Sequence, residues 1–307
     1  MAVRTGFRQE IRKNRVLLFM LLPAVLYYFI FSYIPMAGVV LAFNRFTIPR
    51  GIFGSPWVGL DNFKFFFSSG QALLVTKNTI LYNLAFIFMN NVLQITLAIL
   101  LSEIACRWYK KLAQSVMFLP YFISWVVVGA FAYNLFNYEH GTLNTLLGYL
   151  GMKPVDIYGT PSAWKYIIIA FQSWKWVGYG TVVYLAAVTN IDIELFEAAN
   201  IDGAGIWKKI RYITLPSLKP MIVILVLLSV GNIMRGDFGL FYQLVGNNGT
   251  LYNATDVIDT FVFRSLTQSY EFGIPAACGL YQSVLCFVII LLTNSVVKRV
   301  QPDYSLF

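Results

Sequence analysis

Apolar positions in this chain fall in long runs, not in the two-residue alternation of a half-buried strand or the one-sided stripe of a soluble helix. Six runs are long enough, or nearly so, to cross a hydrocarbon core about 30 Å thick, which takes roughly 20 residues of helix. They lie near 16–43, 80–101, 116–136, 167–188, 218–234 and 274–297. The pattern predicts an all-α membrane protein with six transmembrane helices in a single domain over 1–307. The first run is overlong and holds Pro35, so a tilt or kink is expected there. The fifth is short and meets Arg235-Gly236-Asp237, where the span either ends or is interrupted to offer backbone groups to a cavity.

Composition agrees with this reading. The chain is 58% hydrophobic and 12% charged, against about 25% charged in an ordinary soluble domain. A soluble core could not hide that much apolar surface. Arg4, Arg8, Arg12, Lys13 and Arg15 precede the first run, but the run exceeds the apolar region of a cleaved signal peptide and no small-residue cleavage site follows it. With six spans and the N-terminus inside, Lys and Arg concentrate in the cytoplasmic loops, so both termini are expected in the cytoplasm. The net charge of +9 sits at span ends on that side, which reads as topology and not as a nucleic-acid surface. Cys106, Cys278 and Cys286 lack metal or redox spacing, and His140 stands alone in a loop, so no metal site is expected.

Polar residues inside spans are costly and usually face a cavity or another helix. In span two Asn83, Asn90 and Gln94 share one side; in span four Gln172, Lys175, Trp176 and Tyr179 fall at i, i+3, i+4 and i+7. Span three adds Tyr121, Trp125 and Tyr133, span five Asn232, and span six Tyr281 and Gln282. Together they could line a pathway of aromatic faces and amides, a mixture suited to sugars. Belt aromatics and interhelical amide bonds are the competing explanation. Lys175 and Arg235 are cations in or at the end of spans, where an unpaired charge costs at least about 2.5 kcal/mol. Either they pair internally, with Asp237 the nearest partner for Arg235, or they face a wet cavity and favour an acidic oligosaccharide, such as one containing uronate.

The segment 189–219 between spans four and five is too long and too patterned for a turn. Its acidic start favours a helix N-terminus, Gly203 can end that helix in a left-handed turn, and Ile206 to Tyr212 can form a second short basic helix that Pro216 stops, the proline sitting in the first turn of span five. Glu197-Ala198-Ala199, Gly203, Ile213 and Leu215-Pro216 match, position for position, the EAA loop of ABC importer permeases: EAA, three residues, glycine, nine residues, isoleucine, one residue, leucine-proline. The resemblance implies a cytoplasmic coupling helix in which Glu197, Ala198, Ala199, Asp202, Gly203, Leu215 and Pro216 carry the contact to an ATPase. No Gly-x-x-x-x-Gly-Lys-Ser/Thr occurs in the sequence, so ATP and Mg are expected on separate ATPase subunits, with no cofactor in this chain and no enzymatic role for it.

Trp57-Val58-Gly59-Leu60-Asp61-Asn62-Phe63 resembles the GLDNF element of carbohydrate-uptake permeases. Tyr184-Leu185-Ala186-Ala187, Asp256-Val257-Ile258-Asp259-Thr260 and Ser305-Leu306-Phe307 are similar to the LplB-like branch, which imports complex oligosaccharides. The resemblance implies a second permease subunit in a heterodimer, two cytoplasmic ATPase subunits, an extracellular solute-binding protein and a place in the bacterial cytoplasmic membrane. An ABC permease for a non-sugar solute and an ion-coupled secondary carrier remain the alternatives.

Overall fold

The computed structural model describes residues 13–268 and 270–300; Arg4, Arg8, Arg12 and the C-terminal Ser305-Leu306-Phe307 lie outside it. The described chain is helical, with an isolated bridge between Asn44 and Trp57 as its β pairing. In chain order the principal helices are α1 (Arg15–Phe43), α2 (Asp61–Ser68), α3 (Gln71–Ser102), α4 (Arg107–Phe122), α5 (Trp125–Phe136), α6 (Thr142–Tyr149), α7 (Pro161–Thr189), α8 (Ile193–Ile201), α9 (Ile206–Val230), α10 (Phe238–Val245), α11 (Ile258–Gln268) and α12 (Gly273–Val300). Four of these, α1, α3, α9 and α12, are long and apolar enough to cross a membrane, and the bent pair α4 and α5 makes a fifth.

α7 is absent from that set for a physical reason. It packs against α3 and α4, and its buried positions include Ser173, Lys175, Thr181, Gly178 and Gly180 among the aromatic and aliphatic ones. A helix shielded by its neighbours need not be apolar all round. Gly178 lies so close to the Met117 carbonyl, and Gly180 to the Gln94 amide, that a Cβ at either would collide. The two glycines therefore set the approach of α4 and α3 to α7.

Three expectations require correction. The run 116–136 is not one straight span: α4 and α5 meet at 94°. Pro120 sits in the last turn of α4, Ile123 turns extended, and Ser124 caps α5 by accepting from Val127 N. Next, the short helix is not separate from span five: Ile206–Lys209, a π-turn and Leu215–Val230 run on as one helix, α9, with Pro216 in the first turn of the last stretch as expected. A π-turn over Ile210–Thr214 precedes the proline and widens the backbone where its ring would otherwise strike a carbonyl. The same device, a π-turn over Phe29–Tyr33, precedes Pro35 in α1, so that helix changes pitch there without breaking. Finally, span five ends at Val230 and not at Met234; a turn follows over 231–234, and helix resumes at Phe238.

Three apolar clusters hold the bundle. Tyr82, Phe86, Val128, Trp164, Ile168, Leu240 and Phe241 join α3, α5, α7 and α10. Ala98, Leu101, Tyr184, Leu185 and Leu218 join the far ends of α3 and α7 to α9. Early residues of α3 and α7 meet early, and late meet late, so the two helices run parallel. Phe66, Val75, Met234, Ile258 and Cys278 make the third cluster, around the start of α12.

Asn62, the asparagine of the GLDNF element, donates to the carbonyls of Ala42 (3.0 Å) and Asn44 (3.1 Å), closing the C-terminal end of α1. The segment 189–219 contains the expected helix: Asp192 caps α8 by accepting from Glu194 N, and Gly203 adopts φ +68°. Ala204 N donates to Ala199 O at 2.8 Å, so the bend consumes a carbonyl at the end of α8.

Candidate functional site

Between the two apolar clusters on α3 and α7 lies a belt of amides. Asn90 Nδ2 donates to Gln172 Oε1 at 3.0 Å, Gln94 Nε2 to Trp176 O at 3.2 Å, and Tyr184 OH to Asn91 Oδ1 at 2.6 Å. These bonds tie α3 to α7 at a level where hydrocarbon would satisfy none of the groups. The belt opens on a cavity of about 570 Å³ lined by Asn83, Asn90, Asn91, Gln94, Gln172, Trp176, Tyr179, Ser229 and Asn232, with Phe86, Ile87, Gly180, Val183, Leu225 and Leu228 between them. Tyr179 stacks on Tyr121, centroids 5.1 Å apart, and Trp176 meets Tyr121 edge-on at 5.3 Å. The cavity lining therefore combines aromatic rings, amides and aliphatic side chains.

Seven of the residues expected on a pathway line this cavity: Asn83, Asn90, Gln94, Gln172, Trp176, Tyr179 and Asn232. The others sit elsewhere. Tyr281 OH pairs with Thr76 Oγ1 at 3.2 Å and packs on Phe66 and Phe67. Tyr133 lies on the far side of the break at Ile123-Ser124, near Tyr158, at 90-odd degrees to the helix that carries Tyr121. Sequence reading missed Asn91 and Ser229, whose signal was the same one that marked Asn90 and Asn232: a polar side chain in an apolar run.

Lys175 corrects its expectation most sharply. It is 6% exposed, and its Nζ donates to Pro120 O (3.2 Å), Tyr121 O (3.0 Å) and Ile123 O. Those carbonyls lie at the bend that ends α4, where Pro120 O also accepts from Ile123 N at 3.2 Å, and a cation at a helix C-terminus complements the lone pairs left there and the helix dipole. All three ammonium donors are consumed, so Lys175 braces a bend and does not line the cavity.

Of the two alternatives for Arg235, the ion pair with Asp237 is not made. Asp237 Oδ2 accepts from Trp125 Nε1 at 2.9 Å and Oδ1 from Leu240 N at 3.1 Å, while the Arg235 side chain is exposed. The interrupted backbone there is closed by side chains: Asn83 Nδ2 donates to Arg235 O (3.0 Å), Gln282 Nε2 to Met234 O (2.7 Å), and Gly236 N to Asp259 Oδ2 (2.6 Å). Non-helical backbone inside a membrane bundle persists only when its groups are satisfied in this way. Burial pushes the Asp259 carboxyl above its usual range, against the hydrogen bonds from Gly236 and Gln282. Beyond the break, Asp256 is buried and held by Arg264, at 3.0 Å from Nη1 to Oδ1 and 2.5 Å from Nη2 to Oδ2.

A bundle of apolar helices with an interrupted span and an amide and aromatic cavity between apolar layers defines a multi-pass membrane permease. The chain belongs to the family described as binding-protein-dependent transport system inner membrane component, whose sequence profile matches residues 94–302. It is 32% identical over 304 residues to the polygalacturonan/rhamnogalacturonan transport system permease protein YteP of Bacillus subtilis, covering 95% of this chain and 93% of that one. It is 29% identical to Protein LplB of the same organism, covering 95% and 92%. Its fold superposes, with a TM-score of 0.87 and 31% identity, on a chain from the crystal structure of a bacterial ABC transporter involved in the import of the acidic polysaccharide alginate, covering 97% of this chain and all of the other.

Proposed function

We propose that this chain is the translocating subunit of an ATP-driven importer for an acidic, uronate-containing oligosaccharide. The observation that carries the proposal is the cavity walled by α3, α7 and α9, where amides of Asn83, Asn90, Gln94 and Gln172 stand beside the Trp176 and Tyr179 rings. Amides satisfy sugar hydroxyls and aromatic faces take the apolar face of a pyranose. Two relatives named for uronate polymers support the acidic class. Lys175 is spent on the bend, which leaves Arg235 as the cation for a carboxylate: Asn83, a cavity residue, holds its carbonyl and leaves its guanidinium exposed.

We read six spans in one domain over 1–307, with both termini cytoplasmic and, beside the four long apolar helices and the bent pair, α7 as the sixth span. Its 29 residues make a helix about 44 Å long, more than a hydrocarbon core. A second permease subunit would supply the wall of the pathway opposite α3, α7 and α9. We assign ATPase docking to α8 and the bend after it: Glu197, Ala198, Ala199, Asp202 and Gly203, with Leu215 and Pro216 just after the π-turn of α9. α8 has no buried residue, and Ile201 and Trp207 are 87% and 80% exposed. Apolar side chains so exposed at the end of a membrane bundle fit a protein partner. ATP and Mg act on that partner, and an extracellular binding protein delivers the sugar.

The test is uptake by the assembled transporter in proteoliposomes. An oligogalacturonate should be imported with ATP and its fully methyl-esterified form poorly, and Arg235→Ala should lower import of the acid by about tenfold or more. Equal impairment of acidic and neutral sugars by Arg235→Ala would sink the uronate assignment, and ATP-independent import driven by an ion gradient would sink the importer.

A further inference from the structure

Two helices, α5 and α10, each begin just after a break in the helical backbone, α5 at the bend in its span and α10 beyond the end of span five, and one group of side chains joins both breaks. Lys175 Nζ fills the carbonyls at the end of α4 and lies 5.2 Å from the centroid of the Trp125 ring, at the first residue of α5. The Trp125 indole N–H donates to Asp237, which caps α10 with its other oxygen. Asp237 also attracts Lys175 electrostatically. Packing follows the same line: a Cβ at Gly239 would strike the Trp125 ring, and one at Gly129 would strike the backbone of Gln243. Val128 and Ala132 of α5 share a core with Leu240, Phe241 and Leu244 of α10.

We propose that Lys175, Trp125 and Asp237 form a latch that makes α5 and α10 one rigid body, so that the bent span and the segment after span five move together when access changes sides. The proposal rests on the permease reading above. Its physical basis is that every polar demand in the group is met once. The ammonium has three carbonyls, the indole N–H has one carboxylate oxygen, and the other oxygen has the helix N-terminus. A buried cation and a half-buried carboxylate, with an aromatic ring between them that serves both, offset each other only while α4, α5, α7 and α10 keep this arrangement. Relative sliding of α5 and α10 would strand a charge in a medium that cannot solvate it. Trp125, Lys175 and Asp237 are thus positioning residues, acting on the helices that bound the site and not on the sugar.

The test measures the distance between spin labels at Val127, exposed on α5, and Asn247, exposed just beyond α10. The labels are placed on a Cys106→Ser, Cys286→Ser background in the transporter assembled with its native partners in proteoliposomes. The expected result is one narrow distance that is the same without nucleotide and with a non-hydrolysable ATP analogue. Lys175→Met and Trp125→Phe should broaden the distribution at least about twofold and lower ATP-driven uptake by about tenfold while ATP hydrolysis continues; Lys175→Arg should restore both. A shift of the unmodified latch's distance between the two states overturns the proposal. So does a narrow distance with full uptake in Lys175→Met and Trp125→Phe. If a variant does not assemble, the distance in the unmodified latch still decides. Absence of ATP-driven uptake in the parent transporter would overturn the importer instead, leaving the distance measurement to judge the latch.

Discussion

Arg264 and Asp256 offer the clearest quantitative test of how the segment following the interrupted span is held. The Asp256 carboxylate is buried and accepts two hydrogen bonds from Arg264 and a third from Thr260 Oγ1 at 2.7 Å, while the guanidinium lies 4.0 Å above the Tyr252 ring. Arg264→Met keeps an apolar stem over Tyr252 but leaves a buried anion with one donor. Breaking a buried pair from one side costs about 3–5 kcal/mol. At roughly 2–4 °C per kcal/mol for a chain of this size, the melting temperature should fall by about 10 °C. Replacing both partners, Asp256→Leu with Arg264→Met, removes the stranded charge and should cost less than the single substitution. The assay is a thermal melt of the purified complex followed by size-exclusion chromatography, run as a double-mutant cycle. A fall of less than about 2 °C for Arg264→Met, or a double variant whose loss equals the sum of the singles, would refute the reasoning.

Gly178→Ala drives a methyl group into the Met117 carbonyl, whereas Gly279→Ala meets open space; melting should drop by several degrees for the first, about 1–3 kcal/mol of overpacking, and hardly move for the second. Gly203→Ala keeps the bend after α8 at a positive φ that a side chain resists by about 1–2 kcal/mol, so substrate-stimulated ATP hydrolysis should fall while the bundle's melting temperature stays within a degree or two. The Asp259 carboxyl is raised above its ordinary 3.8 by burial, so the folded state binds this proton more tightly than the unfolded chain. Stability should therefore decline as pH rises from near 3.8 through the raised value, and Asp259→Asn should flatten that part of the melting-temperature profile; an unchanged slope in the variant would exclude Asp259 as its source.

The features legible along the chain are those that depend on local composition. Apolar run length marked α1, α3, the region of α4 and α5, α7, α9 and α12, because lipid demands a continuous apolar surface from any helix that faces it. Helical spacing brought out Asn83, Asn90 and Gln94 on one face and Gln172, Trp176 and Tyr179 on another, since a helix repeats every 3.6 residues wherever it lies. The glycine at 203 and its left-handed turn followed from a single residue's backbone freedom.

Partnership was different. That Lys175 braces a bend, that Asp237 serves Trp125 and not Arg235, and that Gln282 closes the Met234 carbonyl depend on groups 48 to 112 positions apart in the chain. A run of hydrophobicity cannot distinguish one span from two half-helices at 94°, because both bury the same residues. The choice is made by whether a neighbour can satisfy the carbonyls that the bend exposes. Sequence alone determined which residues must avoid water and which polar ones must find a partner; only the tertiary structure decided who the partners are, because in a membrane each unsatisfied group costs more than the helix that could have hidden it.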